Sequence, residues 1–115
     1  MGKTSREKGK RGERELANKL REYGYDTHRG VQYQGGPESP DVVGLPGIHV
    51  EVKRTEAFRL EDALHQAQAD AGPDDLPAVF HRKNGRPWCV VMPLDSWMAL
   101  YNRAQSQEGN EAGER

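Results

Sequence analysis

"SPDVVGLPGIHVEVKR", residues 39–54, decides how the chain is read. Two short apolar runs fold back on each other through Leu45-Pro46-Gly47-Ile48, a pattern that predicts a β-hairpin. Side chains alternate faces along a strand, so Val50 and Val52 share one face while His49, Glu51 and Lys53 share the other. Asp41 opens the first strand. If it pairs across from Glu51, the two carboxylates sit about 5 Å apart. Like charges at that distance repel, and a fold gains nothing from them unless a cation lies between. Hard divalent cations want oxygen ligands, and Mg²⁺ characteristically takes one or two carboxylates and keeps several waters. Lys53 is one pleat further on, placed to donate to a phosphate oxygen. Such a set serves phosphodiester hydrolysis: a metal activates water and the phosphoryl group, and an ammonium offsets the charge that gathers in the transition state. The alternative is a surface hairpin whose solvated face carries a Glu and a Lys.

Upstream, Glu13, Leu16, Ala17, Leu20 and Tyr23 recur at three- and four-residue spacing, which predicts a helix from Gly9 with Gly24 as its stop. Glu13 lies on the apolar stripe. An ionised carboxylate there is costly unless it is paired or binds metal, so it becomes a third candidate ligand aimed at the hairpin. The competing explanation leaves Glu13 exposed in a first turn, stabilised by the helix dipole.

The remaining elements follow the same logic. Tyr25–Val31, Asp41–Gly44 and Ile48–Lys53 read as strands, with "QYQGGPES" as an irregular loop between the first two. Leu60, Ala63, Leu64, Ala67 and Ala71 mark a helix ended by Gly72-Pro73. Ala78–His81 and Trp88–Met92 are strands around Asn84-Gly85. Leu94–Ala104 closes the fold as a helix, with Leu94, Trp97, Met98 and Tyr101 turned inward. The order α-β-β-β-α-β-β-α predicts an α/β fold, a mixed sheet with helices packed on it.

A chain of 115 residues supports one domain with a modest core. The expected organisation is a flexible basic arm over 1–8, a single domain over 9–104 and a disordered acidic tail over 105–115. With 34% hydrophobic and 30% charged residues, the surface is heavily solvated. The net charge of −1 hides an uneven distribution, because residues 3–14 concentrate Lys3, Arg6, Lys8, Lys10, Arg11 and Arg14. That end suits an anionic partner, although a solubilising leader would look the same. Cys89 is the single cysteine, so no intramolecular disulfide forms and a reducing compartment is expected. No run of about 18 apolar residues occurs, and the first residues are too polar for a signal peptide. The expectation is a soluble, cytoplasmic protein without a membrane partner.

"KGKRGERELANKLREYGYDTHR", followed by "PDVVG" and "VEVKR", resembles the archaeal-type Holliday-junction resolvases of the PD-(D/E)XK nuclease superfamily, including versions carried by bacteriophages. The resemblance runs from about Lys8 to Lys53, with weaker support through "HQAQADAG" and "PAVFHRKNGRPWCVVMPL". It implies a restriction-endonuclease-like fold and a role in DNA recombination and repair. Asp41 and Glu51 resemble the two metal-binding carboxylates, Glu13 the helix-borne acid and Lys53 the catalytic lysine. Gln66, preferred over Gln68, resembles a glutamine found on the next helix. Arg14 and Arg29 match basic positions near DNA, and with Lys8, Lys10, Arg11 and Arg54 they form the expected DNA-binding set. Ser39 is displaced from the family's pattern and receives no role.

The implied activity is Mg²⁺-dependent cleavage of four-way junctions, with Mn²⁺ as an alternative ion. Nothing resembles a recognition helix or zinc module, so the expected readout is of backbone and shape. The pseudo-two-fold symmetry of a junction favours a C2 homodimer. Trp97, Met98 and Tyr101 are candidates for its interface, although core is the preferred reading. Two alternatives remain: a repair or restriction-like nuclease on duplex or flap DNA, and a non-catalytic DNA-binding module. The four histidines are scattered and predict no HNH-type site, and His49 reads as a surface histidine.

Overall fold

The computed structural model describes the backbone of residues 2–30 and 39–113, and the side chains of residues 7–30 and 39–107. The elements run α1 (Gly2–Arg21), β1 (His28–Arg29), β2 (Val42–Val43), β3 (Ile48–Arg54), α2 (Leu60–Asp70), β4 (Leu76–Arg82), β5 (Cys89–Val91) and α3 (Leu94–Gly113). Five strands form one mixed sheet in the order β1-β2-β3-β4-β5. Only β3 and β4 pair in parallel. A parallel pair requires a crossover, and α2 supplies it.

The β2–β3 hairpin turns where the sequence places Pro and Gly. Pro46 occupies the second turn position and Gly47, at φ 79°, the third. Ile48 N–H closes the turn on the Leu45 carbonyl at 3.3 Å. This is type II turn chemistry, which needs a residue tolerant of positive φ at the third position. The turn sets Val42 opposite Val50.

The two faces of β3 meet different helices. Val50 packs with Leu16 and Ala17 of α1, Val42, Ala78 and Phe80, and Val52 adds to their edge. On the other face Val79 packs against Ala63 and Ala67 of α2. Gly12 lets α1 approach closely, because a Cβ there would stand 2.6 Å from the Arg54 Cβ. A buried hydrogen bond from Thr27 Oγ1 to the Ala17 carbonyl (2.7 Å) ties α1 to the segment entering β1.

Several expectations need correction. The helix α1 begins at Gly2 rather than Gly9. Apolar spacing marks only the packed half of a helix, and the Lys-, Arg- and Glu-rich half is helical by propensity. Likewise α3 runs to Gly113, past Ala104. The first strand contracts to His28–Arg29, with Val31 and the loop 32–38 outside the described residues. Tyr23, expected against the sheet, is 71% exposed because α1 ends at Arg21 and the chain turns away through Gly24. The stripe of α3 is not core either. Leu94 is 73% exposed, and Trp97, Met98 and Tyr101 are exposed beside it. The Trp97 and Tyr101 rings stack on each other, 5.1 Å between centroids, instead of on the sheet.

Candidate active site

The charged face of β3 lies on the α2 side of the sheet. Glu51 pairs with Val79, whose side chain meets α2, while Val50 and Val52 pair with Ala78 and Phe80 of the opposite core. Glu51 is buried, 5% exposed, and His49 is 2% exposed. Lys53 is half-buried.

Asp41 enters from the hairpin's other strand. Its N–H donates to the Val50 carbonyl at 2.8 Å. Its carboxylate Oδ2 accepts the Val52 N–H at 2.8 Å. Asp41 thus bonds to the backbone of β3 on both sides of Glu51, through its own N–H and through its carboxylate, which fixes it against the strand.

The electrostatics record this convergence. Burial pushes the Asp41 carboxyl up to about 6; the Val52 hydrogen bond opposes the shift, as does the Lys53 charge, while the charges of Glu13 and Asp70 add to it. Burial pushes Glu51 up to about 7, reinforced first by Asp41 and relieved by Lys53. A buried carboxylate next to another carboxylate resists ionisation for both reasons. Glu13, Asp41, Glu51 and Lys53 therefore share one electrostatic neighbourhood, together with Asp70 at the end of α2.

Glu13 reaches this neighbourhood from α1 and accepts a hydrogen bond from Arg29 Nε at 2.9 Å. Arg29, expected to face DNA, is thereby engaged with the helix-borne acid. Arg54 is engaged too. Its Nε donates to Glu15 at 2.9 Å and its Nη2 to Asn84 at 2.9 Å, while Arg82 reaches Glu15 from β4 at 2.8 Å. That Arg-Glu-Arg cluster clamps α1 to the sheet. Lys8, Lys10, Arg11 and Arg14 are exposed along α1. Gln66 of α2 and Lys53 line one cavity of about 350 Å³, together with Thr55, Phe58 and Asp62.

Two residues went unrecognised in the sequence. His49, read as a surface residue, is buried on the Glu51 face, with Nε2 3.5 Å from Glu51 Oε1. Burial lowers its pKa below the usual imidazole value, against the charges of Asp70 and Asp75. Asp70 does carry a signal in the sequence: Ala63, Ala67 and Asp70 fall at i, i+4 and i+7 on the stripe of α2 that meets the sheet.

A family model described as "Phage putative PDDEXK endonuclease" matches residues 4–112. The chain belongs to this family. No curated protein and no solved structure matches it. The mixed five-stranded sheet flanked by helices agrees with the restriction-endonuclease-like fold of the PD-(D/E)XK superfamily, and PDDEXK nucleases typically use divalent metals. The residues here fit such an ion. Two carboxylates held together with both ionisations resisted are a pair that a cation would relieve. No helix among the described residues is long and apolar enough to cross a membrane.

Proposed function

We propose that the chain is a structure-selective endonuclease that resolves four-way DNA junctions by metal-dependent phosphodiester hydrolysis in the cytoplasm of a phage-infected host. What supports the nuclease chemistry is that burial makes the Asp41 and Glu51 carboxyls both resist ionisation, while the nearby Lys53 charge eases both. Asp41, Glu51 and Glu13 would hold Mg²⁺, or Mn²⁺ in its place. When bound, the ion polarises the phosphoryl group and acidifies water. Lys53 supplies a positive charge where negative charge develops on the phosphate, the kind of preorganised stabilisation that dominates such reactions. Gln66, on the same cavity wall, orients water by its amide. Arg29 holds the Glu13 carboxylate in place and exchanges that contact for phosphate when DNA arrives.

The four exposed cations of α1 support binding to a DNA backbone. Contacts of this kind position without reading sequence, and their strength falls steeply with salt. Selectivity for a junction rests on the resemblance of the hairpin and "GEREL" motifs to the resolvases. A homodimer suits the two opposed cuts that a junction needs. The exposed stripe Leu94, Trp97, Met98 and Tyr101 of α3 is the surface for it.

The test uses the full chain with a synthetic four-way junction, a linear duplex and a flap, each with and without Mg²⁺. Paired symmetrical nicks confined to the junction are expected. Equal cutting of plain duplex would overturn junction selectivity and leave a repair or restriction-like nuclease. Glu51→Gln should lower cleavage by about 10²-fold or more while the junction still binds. Binding without any metal-dependent cutting by the unsubstituted chain would leave only a DNA-binding module.

A further inference from the structure

His49 is the one residue of the charged face for which the nuclease reading has no use. Its position is nonetheless specific. Among the described residues, its Nε2 is the one buried side-chain nitrogen or oxygen without a hydrogen-bond partner. The nearest carboxylate oxygen, Glu51 Oε1, is 3.5 Å away, at the far edge of hydrogen bonding. Leaving a buried polar atom unsatisfied costs about 1–3 kcal/mol. Asp70 completes a group of three: one donor atom each from His49, Glu51 and Asp70 lie within 4.8 Å of one another.

We propose that His49, Glu51 and Asp70 form a second divalent-cation site, selective for a transition-metal ion and sharing Glu51 with the acid set around Asp41. The architecture leads there directly. His49 and Glu51 are two residues apart on one strand and so point the same way. The small side chains of Ala63 and Ala67, both buried, let α2 lie close against this face, and Asp70 follows one turn later at the helix end. Donors bound tetrahedrally at about 2.0–2.1 Å stand about 3.3 Å from one another. The His49–Glu51 pair already has nearly that spacing. Asp70, half-buried in the last position of α2, supplies the third donor within the same 4.8 Å.

The donor set chooses the metal. Mg²⁺ takes oxygen ligands and keeps its waters, whereas imidazole suits Zn²⁺, Mn²⁺, Co²⁺ and their neighbours. One nitrogen and two carboxylates bind such ions well and Mg²⁺ poorly. This inference does not depend on the nuclease reading, because the three donors carry it alone.

Co²⁺ is the probe, since its visible absorption bands shift and intensify when protein donors replace its water ligands. The full chain, stripped with chelator, is titrated with Co²⁺ in the presence of millimolar Mg²⁺. One Co²⁺ should remain bound, be displaced by Zn²⁺, and lose at least about tenfold in affinity in His49→Gln and in Asp70→Asn. Asp70→Asn lies at a helix end outside both apolar clusters, so it keeps the test open if His49→Gln fails to fold. Asp41→Asn should leave the Co²⁺ bands in place. Unchanged affinity in Asp70→Asn, complete displacement by Mg²⁺, or loss of the bands in Asp41→Asn alone would overturn the proposal. Failure to cleave any DNA would not bear on it.

Discussion

The two faces of β3 carry opposite kinds of side chain on one backbone. Toward α1, Val50 is fully buried among Leu16, Ala17, Val42, Ala78 and Phe80. Toward α2, His49 and Glu51 are nearly as buried, yet one has an unpartnered nitrogen and the other a carboxyl that resists ionisation. Burial on the first face stabilises the fold. Burial on the second destabilises it, because charge is withdrawn from water without full compensation. The strand's alternation is what allows both, placing a stabilising residue immediately beside each costly one. The costly face can then be kept for chemistry, since the apolar face holds the strand in place.

The comparison breaks most visibly if the α1 face does not hold the fold. Leu16→Ala empties a position 1% exposed at the centre of that face and should destabilise the protein by about 2–5 kcal/mol. Urea melts of the purified variant measure this. A loss below about 1 kcal/mol would mean that the two faces are less unequal than their side chains suggest.

On the α2 face the sign reverses, and pH is the lever. Asp41 and Glu51 have folded pKa values raised to about 6 and about 7, from ordinary values of 3.8 and 4.5. For an acid so raised, the folded state holds protons that the unfolded chain has released. The contribution to stability is fully present below about pH 4 and is lost as pH rises through 6 and 7. In EDTA, stability from this pair should fall between pH 4.5 and 8 by roughly 3–5 kcal/mol, less than the two shifts summed because the Asp41 charge is itself part of what raises Glu51. Thermal melts across that range should show the decline, and Glu51→Gln should reduce it by about half, leaving the part due to Asp41. Divalent metal should raise the melting temperature more at pH 8 than at pH 5. A flat EDTA profile in the unsubstituted protein would show that Glu51 ionises without cost.

The same contrast explains what could be read from the sequence. The apolar face was legible because alternation and the Pro46-Gly47 turn fix both strands and their register locally. The positions of Asp41, Glu51 and Lys53 along the strands follow from the same alternation, each being adjacent to a valine of the hairpin. His49 obeyed the identical alternation but was read as surface, because its burial depends on α2 covering that face. Asp70 depended on the same packing from the helix side. The clamp of Glu15 by Arg54 and Arg82 joins residues from three elements, and no local pattern announces it. The error at α3 has a different origin. Apolar residues at helical spacing show that a stripe exists, and nothing in the stripe states whether a surface of the same chain receives it.

That stripe allows the gentlest test of the comparison. If burial, and not apolar character, determines which residues hold this fold, then exposed Trp97 and Tyr101 should matter little to the isolated chain. Replacing both by Ser removes a stacked, half-exposed pair outside both apolar clusters, so stability at micromolar dilution should change by less than about 1 kcal/mol. The effect should instead appear in association. Sedimentation of the unsubstituted chain should show concentration-dependent dimerisation that the double variant lacks, because an exposed apolar stripe gains from burial only when a partner covers it. A large loss of stability in dilute monomer would place the stripe in the fold after all, and equal sedimentation of the two proteins would remove α3 from the proposed dimer.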